Sequence, residues 1–117
     1  MEVFLVGKPQ NRMEKIRDLL IEQSVQVEQV SLHDLPNKNG IYILFSSEPS
    51  KKFLSALSRL INGGSLVIQL GIMNSVMVEI PQILVIPDSI DDHSLVSLVE
   101  LLFTLREKEK HYDWITV

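Results

Sequence analysis

The sequence predicts a three-layer α/β/α sandwich built on a five-stranded, mostly parallel sheet. Residues 41–45 (Ile-Tyr-Ile-Leu-Phe) and 66–70 (Leu-Val-Ile-Gln-Leu) are apolar runs rich in strand formers, as expected of strands covered on both faces. Between them Phe53, Leu54, Leu57, Leu60 and Ile61 recur at helical spacing, with Lys51, Lys52, Ser55, Ser58 and Arg59 off that stripe. A helix of about a dozen residues joining two buried strands fits a right-handed crossover, which makes the strands parallel. The 117 residues suffice for one domain with a core and are too few for two, so a single domain over residues 1–117 is expected.

The elements follow in chain order. Residues 3–6 form a short apolar strand that stops at Gly7, Lys8 and Pro9. Asn11 with Glu14 three positions on resembles a capping box, and Met13, Ile16, Leu19 and Leu20 give the first helix its apolar face. Ser24 ends it loosely. Residues 25–32 read as the second strand. Its phase slips, with Val25 and Val27 on one face but Val30 and Leu32 on the other, so an edge strand with a bulge is expected.

Residues 33–39 are too few, and too rich in Pro and Asn, to hold a helix and still turn twice. A helix-free crossover with one short turn near 32–35 is expected, the alternative being an antiparallel hairpin. In the second helix Pro49 fits the first turn, Ser47 or Glu48 caps, and Gly63-Gly64 closes it in left-handed geometry. Residues 71–82 leave only twelve positions before a fifth strand at 83–86. Either a short helix forms there or 76–80 lies extended. Asp91 or Asp92 caps the last helix. It carries Leu95, Leu98, Val99, Leu102 and Leu105 on one stripe and Val96, Leu101 and Phe103 off it. That helix is expected to reach Lys110, with a tail over 111–117 containing Trp114 that docks or is exchanged.

Composition excludes several functions. Net charge is −4, and the best basic group, Arg106, Lys108 and Lys110, is interleaved with Glu107 and Glu109, which argues against nucleic acid and anionic membranes as partners. There is no cysteine, hence no disulfide, thiol catalysis or thiolate metal site. The longest apolar run is far below the roughly 20 residues of a membrane span, and no charged-then-apolar leader precedes the first strand. A cytoplasmic protein is expected.

The element order resembles the flavodoxin-like superfold, which implies strand order 2-1-3-4-5, with the connections over 33–39 and 71–82 shorter than that fold's usual ones. Length and rhythm resemble a response-regulator receiver. That family carries acidic residues after strand one, a phosphorylated Asp after strand three, Ser or Thr after strand four and Lys after strand five. Here those places hold Gly7-Lys8, Ser46-Ser47, Gly71 and Pro87-Asp88, so phosphoryl transfer does not carry over. Residues 27–71 resemble the glutamine-amidotransferase-like group in the His-Asp-Leu-Pro crossover and in Asn62-Gly63-Gly64-Ser65-Leu66-Val67-Ile68. The nucleophile's place holds Gly71-Ile72-Met73-Asn74.

In such sheets ligands bind beyond the carboxyl ends of the strands. Lys8 and Asn11 after strand one, with Ser46, Ser47 and Glu48 after strand three, are the candidate ligand residues, fitted to an anion or small polar molecule. Lys8 lacks the flanking residues of a phosphate loop, and neither serine sits in a nucleophile elbow. His33, His93 and His111 show no ligand spacing, so no metal, cofactor or catalytic residue is expected.

The stronger signal is apolar surplus. Ile72, Met73, Val76, Met77, Val78, Val96, Leu101, Phe103 and Trp114 exceed what one small domain hides, and mark an interface with a second copy or a larger protein. The expected function is a non-catalytic regulatory or protein-interaction domain. The alternative is a small nucleotide- or phosphate-ligand-binding protein or enzyme using the loops after strands one and three.

Overall fold

The computed structural model describes residues 2–46, 50–71 and 82–115, with backbone alone from 107 onward. The order is β1 (Glu2–Val6), α1 (Asn11–Glu22), β2 (Gln26–Val30), β3 (Gly40–Leu44), α2 (Lys51–Asn62), β4 (Leu66–Leu70), β5 (Ile83–Ile86) and α3 (Asp92–Ile115). The strands form one sheet ordered β2-β1-β3-β4-β5, every pair parallel, as expected. β2 and β3 flank β1 in the same direction, so their link is a crossover and the hairpin alternative falls.

Alternation along the strands builds two cores. Val3, Leu5, Ile41, Ile43 and Ile68 point to one face, which α1 and α3 cover with Met13, Ile16, Leu20, Leu95 and Val99. Phe4, Val6, Tyr42, Leu44 and Val67 point to the other, covered by Phe53, Leu57 and Leu60 of α2. β1→β2 and β3→β4 step in opposite directions across the sheet, so right-handed crossovers place α1 and α2 on opposite faces.

β2 contains no bulge: its register with β1 is unbroken from Glu2↔Gln26 to Val6↔Val30. The phase slip has another cause. Val25 and Val27 pack into the α1 face, while Val30 and Leu32 pack into the α2 face. Only the carboxyl end of β2 is covered on the second face, at Val30 and Leu32, while Gln26 and Glu28 on that face stay exposed.

The crossover after β2 stands in for a helix. One turn forms where Asp34 N–H donates to Ser31 O (3.2 Å). Leu32 and Leu35 then pack into the core. The fully buried Tyr42 donates its hydroxyl to Lys38 O at 2.6 Å and lies 3.2 Å from Pro36 O, fastening the segment's end. Phe4 stacks on its ring at 4.6 Å. Burial pushes the Tyr42 pKa up to about 12, and the carboxylates of Glu2 and Glu28 push the same way.

The helix ends depart from expectation in detail. α1 begins at Asn11 with Gln10, in extended backbone, at the cap and no side-chain cap bond, so Asn11 is not the cap. α2 is capped by Ser50, whose hydroxyl accepts the Phe53 N–H. The expected caps Ser47 and Glu48, with Pro49, lie outside the described residues. α1 and α2 end in the same double-bonded motif. Ser24 N–H donates to Ile21 O and Val25 N–H to Leu20 O; Gly64 N–H donates to Ile61 O and Ser65 N–H to Leu60 O. The left-handed position holds Gly64 (φ 97°) in one and Ser24 (φ 63°) in the other, so α1 ends tightly, not loosely.

α3 is longer than expected. It continues through residue 115, where a loose tail from His111 was expected, and spans about 36 Å at about 1.5 Å per residue. No helix among the described residues is long and apolar enough to cross a membrane.

Candidate functional site

The loops after β1 and β3 converge at the carboxyl end of the sheet. Gly7 has φ 144°, and a Cβ built on it would lie 3.2 Å from Ser46 Oγ. Gly7 N–H donates to Val30 O (3.1 Å), and Phe45 N–H to Val6 O (2.9 Å), so these loops continue the sheet's own ladder. On the far side Gly71 N–H donates to Ile86 O (2.9 Å).

The candidate ligand residues do not form one cluster. Lys8 lines a cavity of about 400 Å³ at the ends of β1 and β2, with Gly7, Pro9, Gln29, Ser31 and Leu32 among its walls. Asn11 lines a separate shallow depression toward the β5–α3 loop, with Arg12, Lys15, Asp88 and Asp92. Ser46 is half-buried beside Gly7. Ser47 and Glu48 lie outside the described residues.

Arg12 was not anticipated, and it organises the depression. Its Nη2 donates to Ile90 O (2.6 Å), its Nη1 to Asp88 O (2.8 Å) and Asp88 Oδ1 (2.9 Å), and its Nε to Asp92 Oδ1 (3.2 Å). Four hydrogen bonds from the guanidinium fork thus tie α1 to the β5–α3 loop. Asp91 is likewise engaged. Its Oδ1 accepts the Ser94 N–H and its Oδ2 the Ser94 hydroxyl, both at 2.8 Å. Those bonds hold its carboxyl below the ordinary carboxylate range. The sequence signal for the clamp was an Arg in the first turn of one helix and three acids around the start of another.

Two buried amides also escaped notice. Gln69 is 2% exposed in a central strand; its Nε2 donates to Leu70 O (2.9 Å), while its Oε1 is buried without a partner. Gln29 Nε2 is buried without an acceptor. A glutamine inside the apolar run 66–70 was the available clue. Among the described residues no group of three or more His, Asp or Glu could hold a metal.

The expected interface residues divide three ways. Val96 is 6% exposed and belongs to the core shared by α1 and α3, so it offers nothing to a partner. Phe103 is half-buried and packs against the same core, whereas Leu101 is 53% exposed. Ile72, Met73, Val76, Met77 and Val78 lie outside the described residues, and Trp114 lies on the part of α3 described by backbone alone. Exposed apolar side chains that were not anticipated are Ile21 of α1, Leu84 and Val85 of β5, and Leu105, which the last helix's stripe had placed inward.

No family model matches the chain, and neither a curated protein nor a solved structure matches it.

Proposed function

We propose that the chain is a non-catalytic regulatory or interaction domain, receiver-like in outline, that associates with a second copy through the β5 edge and the outer side of α3. The observation that carries the reading is the contrast between the two edges of the sheet. β2 presents Gln26 and Glu28 to solvent, the polar and charged dressing that blunts an edge. β5 is Ile-Leu-Val-Ile, four residues without a charge. Leu84 is 42% and Val85 45% exposed, on opposite faces; Leu101 and Leu105 of α3 are exposed too, as is Ile21 of α1. Among the described residues β5 pairs with β4 alone. The commitment of Arg12 and Asp91 to structural bonds supports a role in holding rather than in bond-making.

Sedimentation velocity from about 1 to about 200 µM tests the reading. The native chain is expected to shift toward dimer with concentration. Val85→Lys, a surface change of about 0.5 kcal/mol or less in the single subunit, is expected to remain monomeric, with the melting temperature that the native chain shows when dilute. A native chain that sediments as a monomer throughout refutes it.

A second reading is a small nucleotide- or phosphate-ligand-binding protein using the loops after β1 and β3. The approach of Gly7 to Ser46 favours it. Thermal shifts with a nucleotide and phosphosugar panel decide it: no shift, or one retained in Lys8→Ala, dismisses it.

A further inference from the structure

The cavity at the carboxyl ends of β1 and β2 has a one-sided polar lining. It measures about 400 Å³, within the range of small-molecule sites. Besides His33, three of its side chains carry protons to give: Lys8, Gln29 and Ser31. Lys8 is exposed and makes no ion pair among the described residues. Gln29 lines the cavity, and its Nε2 lies buried beneath that lining with no acceptor, a desolvated donor that gains a partner by turning toward a bound anion. The Ser31 hydroxyl oxygen already accepts the His33 N–H (3.2 Å), which leaves its proton to donate. No carboxylate lines the cavity, and Pro9, Val30 and Leu32 supply an apolar wall.

The surroundings reinforce the sign. Leu32 and His33 also border a second cavity of about 290 Å³, to which α2 brings Lys52 and Arg59 against the single carboxylate of Asp34. In a chain of net charge −4 this is a locally positive region, and low-dielectric walls focus such a field. It exists because the crossover after β2 carries no helix over these strand ends.

We propose that the cavity at the ends of β1 and β2 binds a small organic monoanion with an apolar body. The anionic head takes the Lys8 ammonium, the Gln29 amide and the Ser31 hydroxyl, and the body lies on Pro9, Val30 and Leu32. Of the ligand residues expected from the sequence only Lys8 takes part. The site lies between strands one and two, not one and three.

Amide NMR of the full-length chain tests this with octanoate as probe, and octan-1-ol and inorganic phosphate as comparators. Octanoate is expected to move Gly7, residues 29–33 and the Gln29 side-chain NH₂ saturably, with a Kd of about 1 mM or below. Octan-1-ol is expected to bind at least about tenfold more weakly, because it lacks the charge. Lys8→Ala is expected to weaken octanoate by about tenfold. Gln29→Leu is expected to abolish binding while melting no lower than the native chain, since it removes an unmatched buried donor. The proposal is overturned by no saturable shift with octanoate up to about 10 mM. It is equally overturned by octan-1-ol binding as tightly, by phosphate binding alone, by Lys8→Ala binding unchanged, or by shifts confined to β5 and α3.

Discussion

Replacing Tyr42 by Phe removes one oxygen atom from the core and with it the fastening of the helix-free crossover. The ring stays, so its stacking on Phe4 and its packing against α2 are preserved. What is lost is the 2.6 Å bond to Lys38 O and the 3.2 Å approach to Pro36 O. A part-buried bond of this kind is worth about 1–2 kcal/mol, because the abandoned carbonyl is left without its partner. A domain of 117 residues unfolds with an entropy of about 0.25 kcal/mol/K, so the melting temperature should fall by about 4–8 °C. The pH dependence supplies a signature that no packing defect mimics. The folded pKa of Tyr42 is about 12, above the value near 10 of an unfolded tyrosine. A raised pKa means the native state holds the proton more tightly. The associated stability is therefore complete below about pH 10 and is lost as pH rises toward 12. Every other group is common to the two proteins, so the difference between native chain and Tyr42→Phe isolates this one. Urea unfolding at pH 8 and at steps above pH 10 measures it. An unchanged midpoint at pH 8, or a difference that does not shrink above pH 10, refutes the reasoning.

Other substitutions probe the frame independently. A Cβ at Gly40 would lie 2.5 Å from Glu2 O and 2.9 Å from Phe4 Cε2, so Gly40→Ala must push β3 away from β1 and should cost about 2–3 kcal/mol in urea unfolding. Ser24 holds a left-handed φ of 63°, and Ser24→Gly should stabilise by about 0.5–1 kcal/mol, read as a higher melting temperature. Arg12→Met removes the bonds to Asp88, Ile90 and Asp92 and should cost about 1.5–3 kcal/mol, with faster hydrogen exchange at the first turn of α3.

Much of this architecture was legible because local signals agreed with one another. From Gly40 to Leu70 the apolar runs, the helical stripe and the paired glycines all named the same elements, and the crossover's length, with Pro36 inside it, ruled out a helix. Where reading failed, tertiary contacts made the decision. α3 has apolar residues at 95, 96, 98, 99, 101, 102, 103 and 105, which nearly encircle the helix. No periodicity chooses a face there. Packing against α1 and the sheet chose the one containing Val96 and left Leu101 and Leu105 outside. The supposed bulge in β2 was burial of Val30 and Leu32 on the second face, invisible until the crossover is seen to cover that end of the strand. The Arg12 clamp joins residues 76 or more positions apart, and only the fold brings them together. At the candidate site, Lys8 was legible from its place after a strand. Gln29 was not, because a glutamine on an edge strand reads as solvated.

The central claim is that the uncharged edge at β5 is a contact surface between two copies. Amide hydrogen exchange at Ile83–Ile86 as a function of protein concentration addresses it most directly. Those β5 amides that do not bond to β4 should exchange fast in dilute protein and slow by at least about tenfold near 200 µM, while the outer amides of β2 stay unchanged. Exchange at β5 that is the same at every concentration would contradict the claim.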